Sequence, residues 1–232
     1  MTTAETYGIR IAAIAIVLVL IGVYVYNKHL HAQRKTLYLE NANYSVQIGM
    51  YDMFKTSRAD IVMLGNSLTY NANWAEMLGR ANIANRGIPS DITAGYLHRL
   101  DYVYKLQPKI CFIEGGVNDI HAKCSVLEIF ANYTSIIDTL RGHHIIPVIQ
   151  STLFVARTWP NAVDENREVE ALNKLLSEFA REHSVEFLDI NALVSKDGFL
   201  RDELTFDGIH LNADGYALWV PEVEMVLVKH QL

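Results

Sequence analysis

The stretch Ile61-Val62-Met63-Leu64 is wholly apolar and runs directly into Gly65-Asn66-Ser67-Leu68. A short apolar run that ends at a glycine is typical of a strand buried on both faces, as in a parallel sheet. Ser67 follows this strand closely, and open α/β sheets bind their ligands at the edge where the strands end. The stretch therefore predicts a parallel α/β fold with a polar site that begins at Ser67.

The rest of the chain repeats this alternation of strands and helices. Further strands are predicted at 82–88, 110–113, 145–150 and 185–190, between helical patterns at 91–106, 126–140, 166–183 and 213–228. Strands that alternate with helices of this length indicate βαβ units with right-handed crossovers. We therefore predict an α/β fold, a three-layer α/β/α sandwich around a five-stranded parallel sheet.

Length, charge and cysteine content limit the class of protein. A chain of 232 residues is long enough for one α/β domain with a sizeable core. The formal net charge is −6, and no basic run stands out beyond the flank of the N-terminal segment, so nucleic acid is not expected as a partner. Cys111 and Cys124 provide neither a disulfide framework nor a zinc cluster, and we interpret them as two thiols.

Residues 11–26 contain no charged side chain and are almost entirely apolar. A bilayer span needs roughly 20 apolar residues, and no small-residue cleavage site of the kind that ends a signal peptide follows this run. The sequence therefore predicts one uncleaved N-terminal transmembrane helix that attaches the protein to a membrane. The expected organisation is a membrane anchor at 1–27, a juxtamembrane linker and packing helix at 28–58, and the main domain at 59–232.

The orientation of this single-pass anchor has arguments on both sides. Lys28, Arg34 and Lys35 follow the apolar run, and the positive-inside rule would then keep the main domain in the cytoplasm. Signal anchors of secreted proteins usually place the main domain outside. We favour the extracytoplasmic side.

Asp207 and His210 form the sharpest local signal, Asp207-Gly208-Ile209-His210. A turn can close this spacing, so the carboxylate can hold the imidazole in one tautomer beside a serine nucleophile. His121 is the rival base, but it follows Asp119 too closely for an obvious Asp–His pair. Ser67 alone also fits a helix N-cap.

Gly87 and Asn118 follow the second and third strands, in Asn85-Arg86-Gly87 and Gly115-Gly116-Val117-Asn118-Asp119. The Gly87 N–H and the Asn118 side-chain amide could both donate to an oxyanion at the same sheet edge. Taken singly, Gly87 also fits a simple turn, and Asn118 fits an Asx-turn or a helix cap.

Together these ordered blocks resemble the SGNH (GDSL-like) hydrolase superfamily over residues 59–228. The resemblance implies Ser67 as nucleophile, His210 as general base and then acid, and Asp207 as its orienting carboxylate. It further implies an oxyanion hole formed by the Ser67 N–H, the Gly87 N–H and the Asn118 side chain. Within the superfamily, residues 85–88 and 97–101 look like the platelet-activating-factor acetylhydrolase-like and carbohydrate O-acetylesterase-like branch.

One position departs from the pattern that gives the family its name. Asn66 stands where that pattern has aspartate, which keeps the local hydrogen bonds but removes a charge near Ser67. The implied chemistry needs no cofactor, and the sequence has no cluster of metal ligands.

The expected activity is serine-dependent hydrolysis of a small ester substrate, with short acyl groups such as acetyl on glycans or lipids. The alternatives are a lysophospholipase or thioesterase that acts on longer chains, and a non-catalytic, membrane-tethered binding module. Loops at 71–76 and 154–165 are expected to line the pocket, with Trp74 and Trp159 either as its walls or as packing of the core rim.

Overall fold

The computed structural model describes residues 16–25 and 36–232. The chain divides into two units, Met1–Leu37 and Tyr38–Leu232. In the first unit, residues 16–25 are helical and their large apolar side chains are exposed. The rest of the predicted anchor and the linker through residue 35 lie outside the described residues. Within the two described ranges, no helix is both long enough and apolar enough to cross a membrane.

The strands of the second unit are β1 (Ile61–Gly65), β2 (Ile83–Gly87), β3 (Ile110–Ile113), β4 (Ile146–Gln150), β5 (Glu186–Leu188), β6 (Ser195–Lys196) and β7 (Phe199–Leu200). The first five form a parallel sheet with the strand order β2-β1-β3-β4-β5. A separate antiparallel pair, β6 and β7, was not predicted. The predicted five-stranded parallel sheet is therefore confirmed, with strand boundaries that differ by one or two residues.

Helices cover both faces of this sheet, and two short 3-10 turns occur at Leu37–Glu40 and Asp202–Leu204. The α-helices of the second unit are α1 (Ala42–Met53), α2 (Ser67–Tyr70), α3 (Trp74–Leu78), α4 (Thr93–His98), α5 (Asp101–Tyr104), α6 (Val117–His121), α7 (Val126–Gly142), α8 (Ala162–His183), α9 (Asn191–Val194) and α10 (Ala213–Lys229).

Alternation along β1 produces the three layers. Successive side chains of a strand point to opposite faces, so Val62 and Leu64 join the core formed with α4, α7 and α8. Ile61 and Met63 join a second core, formed with α3, α9 and α10. All the side chains of β1 are thus apolar because both faces of this strand are covered.

The register brings the ends of three strands to one level. Gly65 pairs with Gly87 across β1 and β2, and Leu64 pairs with Ile113 across β1 and β3. The loops that carry Ser67 and Asn118 therefore leave the sheet side by side, at the edge where parallel sheets bind ligands.

The single helix predicted at 91–106 is interrupted in the structure. It is divided into α4 and α5, and Arg99 caps α4 with a φ of −117°. The fully buried guanidinium of Arg99 points into the protein, where Nε donates to Asp91 Oδ2 at 2.8 Å. The other two nitrogens donate to backbone carbonyls, Nη1 to Arg86 at 2.7 Å and Nη2 to Gly65 at 3.0 Å. This interaction connects the ends of β1 and β2 with the loop before α4.

Helix α1 covers the loop after β2 from the outside. The Tyr51 hydroxyl donates to the carbonyl of Gly87 at 2.9 Å, and Asn41 Nδ2 donates to the carbonyl of Pro89 at 2.8 Å. The segment before β1 therefore contains a packing helix, as its apolar spacing predicts, and this helix supports one side of the candidate site.

We predict that Arg99→Met destabilises the fold strongly, because it leaves the Asp91 carboxyl buried without its partner. Removing one member of a buried ion pair costs about 3–5 kcal/mol, which urea unfolding followed by tryptophan fluorescence would measure. The matched control is Arg167→Met, because Arg167 pairs with Asp164 on an exposed surface, where ion pairs contribute little. Equal midpoints for both variants would contradict the role given to Arg99.

Candidate active site

Ser67 is the first residue of α2, directly beyond β1. Asn66 caps this helix, since its Oδ1 accepts the backbone N–H of Leu68 at 2.8 Å. A side chain at Gly65 would meet the Thr69 side chain and would lie 2.9 Å from the carbonyl oxygen of Glu114. The glycine therefore permits the tight turn from strand to helix that presents the Ser67 hydroxyl at the sheet edge.

His210 lies next to Ser67, although 143 positions separate them along the chain. Its Nε2 is 2.9 Å from Ser67 Oγ, and its Nδ1 is 2.6 Å from Asp207 Oδ2. The backbone N–H of His210 also donates to Asp207 Oδ1 at 2.8 Å. The structure thus brings together the serine, histidine and aspartate that the sequence singles out.

The loop that carries Asp207 and His210 is fixed at several points. Thr205 Oγ1 donates to the carbonyl of His210 at 2.7 Å, and the N–H of Ala156 donates to the carbonyl of Gly208 at 2.7 Å. Gly208 has a φ of 94°, a backbone conformation that residues with a side chain rarely adopt. The backbone therefore holds the imidazole in place before any substrate binds.

Hydrogen bonding keeps Asp207 ionised. Partial burial opposes its charge, but hydrogen bonds from the His210 side chain and from the N–H groups of His210 and Ile209 lower the pKa of Asp207 below its ordinary value. A carboxylate at this position favours a proton on Nδ1 of His210, which leaves Nε2 as an acceptor for the Ser67 hydroxyl.

The rival base, His121, has a different partner. Its Nδ1 lies 3.2 Å from Glu165 Oε1. Asp119, which precedes it, is turned away and accepts hydrogen bonds from the backbone and the hydroxyl of Thr93. Among the described histidines, His210 is the one that contacts Ser67.

The N–H of Gly87, expected to donate to an oxyanion, has another acceptor in the structure. Its N–H is already engaged, because it donates to Asn85 Oδ1 at 2.8 Å. The Asn85 amide is held by the carbonyls of Thr69 at 2.9 Å and Ala72 at 3.1 Å, so this oxygen is fixed in place. A side chain at Gly87 would lie 2.7 Å from Tyr70 Cα. The structure therefore gives Gly87 a spacing role between β2 and α2, with no free N–H.

Three other donors remain around the sheet edge. Asn118 Nδ2 donates one hydrogen to the carbonyl of Asp91 at 2.9 Å, which leaves its second hydrogen available. Within residues 36–232, the N–H groups of Ser67 and Ser90 have no hydrogen-bond acceptor. Ser90 has a φ of 59°, which is unusual for a residue with a side chain. Sequence reasoning missed Ser90 because no local pattern marks a serine for this conformation.

The two tryptophans considered as pocket walls, Trp74 and Trp159, differ in burial. Trp74 is 1% exposed, donates to the carbonyl of Thr69 at 3.0 Å and packs against Trp219, so it belongs to the core. The neighbouring loop lines a cavity of about 300 Å³ that neither Ser67 nor His210 borders. Trp159 is half-buried, and its Cε3 lies 3.6 Å from where a Cβ on Gly208 would be.

A buried polar cluster lies behind Ser67. Both carboxyl oxygens of Glu114, the Nδ2 of Asn66 and the Oγ1 of Thr69 have no hydrogen-bond partner among the described residues. Burial raises the pKa of Glu114 from 4.5 to about 8, although the neighbouring Asn66 amide opposes this shift. Glu114 therefore holds its proton at neutral pH in the folded protein.

We predict that this buried acid makes stability depend on pH. As pH rises from 4.5 to about 8, the unfolded chain ionises Glu114 while the folded chain keeps the proton. The free energy of unfolding therefore falls over that range. Glu114→Gln should flatten the profile, which urea unfolding at a series of pH values would measure. A smaller slope remains, because burial also raises the pKa of Asp119 to about 7.

Glu170→Gln is the matched control, since Glu170 is exposed on α8. It should leave the pH profile of the parent protein unchanged. If Glu114→Gln and the parent had parallel profiles, Glu114 would not be the group responsible.

Known proteins resemble this chain in sequence and in fold. A family model, that of the GDSL-like Lipase/Acylhydrolase family, matches residues 63–218. Among curated proteins, the N-acylneuraminate cytidylyltransferase of Streptococcus agalactiae serotype V is 34% identical over 123 residues. That match covers 49% of this chain but only 28% of the cytidylyltransferase.

Solved structures share the fold at low sequence identity. A GDSL-like lipase from Bacteroides thetaiotaomicron is similar with a TM-score of 0.71 and 21% identity, over 82% of this chain and 98% of its own. An acetyl-xylooligosaccharide esterase from Geobacillus Stearmophilus, in a variant form, gives a TM-score of 0.61 and 14% identity, over 74% of this chain and 95% of its own. The family match covers well over half of the sequence, and the chain belongs to the GDSL-like lipase/acylhydrolase family.

Proposed function

We propose that this protein is a serine ester hydrolase that removes short acyl groups through an acyl-enzyme. The observation that carries the proposal is the position of His210, with Nε2 2.9 Å from Ser67 Oγ and Nδ1 2.6 Å from Asp207 Oδ2. Both distances lie within the range expected for a nucleophile, its base and the group that orients the base.

In the proposed reaction, Ser67 Oγ attacks the acyl carbon while His210 Nε2 accepts the hydroxyl proton. Asp207 stabilises the imidazolium without taking the proton itself. The C–O bond to the leaving alcohol then breaks, and His210 returns the proton to that oxygen. In the second half, His210 deprotonates a water molecule, which attacks the acyl carbon. The bond between that carbon and Ser67 Oγ then breaks, His210 returns the proton to Oγ, and the carboxylic acid leaves.

The negative charge that develops on the ester oxygen needs donors that are not already engaged. The Ser67 N–H and the second Nδ2 hydrogen of Asn118 meet this condition, and we place the Ser90 N–H in the role first expected of Gly87. Each well-placed donor lowers the barrier by about 3 kcal/mol. Ser90 is supported by its free N–H and by its position next to Asp91, whose carbonyl binds Asn118.

For the substrate, we favour acetyl or similarly short acyl esters on sugars, as in the carbohydrate O-acetylesterase-like branch. One structural relative acts on acetyl-xylooligosaccharides, and the curated relatives are N-acylneuraminate cytidylyltransferases. These likenesses support a carbohydrate over a long-chain lipid, and the chain-length experiment below separates the two.

We also propose that the N-terminal segment attaches the hydrolase to a membrane, with the catalytic domain on the extracytoplasmic side. The support is the uncharged run at 11–26 and the exposed apolar side chains of the helical residues 16–25.

We predict that the protein hydrolyses p-nitrophenyl acetate and butyrate faster than the palmitate ester, and that Ser67→Ala lowers kcat by at least about 10³-fold. Ser177→Ala is the control, because this serine lies exposed on α8 and donates to its own helix backbone. A preference for palmitate would favour a lipid substrate instead. Equal rates for Ser67→Ala and the parent, or failure of the folded parent to react with a fluorophosphonate, would contradict the mechanism.

The membrane proposal has a separate test. The 232-residue chain expressed in bacteria should sediment with membranes and resist a carbonate wash, because a helix of roughly 17–25 predominantly apolar residues can span a bilayer. A chain that begins at residue 36 should be released. Protease added outside spheroplasts should reach the catalytic domain. Recovery of the 232-residue chain in the soluble fraction would refute the anchor, and full protection from protease would refute the orientation.

A further inference from the structure

The buried carboxylate of Glu165 holds two aromatic side chains at once. This side chain is only 4% exposed. One oxygen accepts the indole N–H of Trp159 at 3.1 Å, and the other lies 3.2 Å from Nδ1 of His121. The mechanism proposed above uses none of these three residues. A carboxylate that is buried and engaged on both oxygens fixes the orientation of both rings.

Each ring lies next to an element that carries a proposed site residue. His121 is one helical turn beyond Asn118 on α6, so the two side chains share a face of that helix. Trp159 packs against the loop of the proposed base, with its Cε3 3.6 Å from the position that a Cβ on Gly208 would take, two residues before His210. The pair therefore lies at the rim of the site, between the proposed oxyanion donor and the proposed base.

The two rings are adjacent and tilted, and the His121 ring is accessible to a ligand. The ring centroids of His121 and Trp159 are 6.1 Å apart and the planes meet at 58°. The His121 side chain is 63% exposed. Since Nδ1 faces Glu165, Nε2 is the nitrogen left to bind a ligand. An aromatic face beside one polar nitrogen suits a ligand with an apolar face and hydroxyl groups at its edge.

We propose that His121 and Trp159, oriented by Glu165, form a subsite for the sugar ring that carries the ester. The ring would pack its C–H face on Trp159 and exchange a hydrogen bond between a hydroxyl and Nε2 of His121. This assignment rests on the proposed hydrolase function and specifies its substrate class as a carbohydrate ester. His121 and Trp159 would determine specificity, and Glu165 would be a positioning residue.

The test compares an ester that has a sugar with one that lacks it. Initial rates are measured with acetylated xylobiose and with p-nitrophenyl acetate, for the parent, Trp159→Ala, His121→Ala and Glu165→Gln. We expect each variant to lower kcat/KM for the sugar ester at least tenfold more than kcat/KM for the aryl ester, mainly through KM. His183→Ala is the matched control, because this exposed histidine lies at the opposite end of α8 from Glu165.

Trp159→Phe is a more conservative variant that controls for misfolding of Trp159→Ala. It keeps an aromatic face but loses the N–H that donates to Glu165. It should retain more sugar-ester activity than Trp159→Ala. Equal losses on both esters, or no loss on either, would overturn the subsite.

A binding measurement separates the subsite from the hydrolase proposal. If the parent hydrolyses neither ester, the proposed reaction has failed, and the subsite is then judged by tryptophan fluorescence titration with acetylated xylobiose. Saturable quenching in the parent that is absent in Trp159→Phe would support it. No quenching in the parent would overturn it.

Discussion

The buried guanidinium of Arg99 is the constraint on which the candidate site depends. A charged group without exposure is tolerated only when its donors are engaged, and Arg99 meets this condition with Asp91 and with backbone carbonyls that include Gly65. Gly65 lies two residues before Ser67, and the carbonyl of Asp91 receives the Asn118 amide. One cation therefore fixes the backbone that precedes Ser67, the proposed nucleophile, and the loop that binds Asn118, a proposed oxyanion donor.

A second constraint is that the buried polar groups next to Ser67, Asn66 and Glu114, carry no charge at neutral pH. The family-naming aspartate is replaced here by Asn66, and the structure places the buried carboxyl of Glu114 beside it. An aspartate at position 66 would put a second acid next to one that already holds its proton because of burial, and like charges at close range disfavour each other. Asparagine keeps the cap on Leu68 without that repulsion. The uncharged Asn66 is therefore compatible with the buried Glu114 carboxyl beside it, where an aspartate would not be.

Much of the fold and part of the site follow from local sequence signals. The strand at 110–113 and the Asp207–His210 pair are read from short patterns, because strand burial and a three-residue spacing are local properties. The engagement of the Gly87 N–H depends on Asn85, whose orientation is set by carbonyls more than ten residues away. The break at Arg99 likewise follows from tertiary hydrogen bonds that no helical periodicity reveals. The predictions for the Gly87 N–H and for an unbroken helix at 91–106 failed because both depend on hydrogen bonds between side chains and backbone groups distant in the sequence.

The proposed subsite lies on different residues from the proposed reaction centre. Helix α6 carries Asn118 in its first turn and His121 at its end, so a rigid element links a proposed oxyanion donor to the rim. Glu165 on α8 then connects that rim to Trp159, and Trp159 lies against the loop of the proposed base. Under this proposal, substitutions at His121 and Trp159 would change which alcohol is held and leave the Ser67–His210 geometry unchanged. A fold that hosts many activities needs this independence, and the proposed subsite would supply it through one buried carboxylate that holds an exposed imidazole and a half-buried indole.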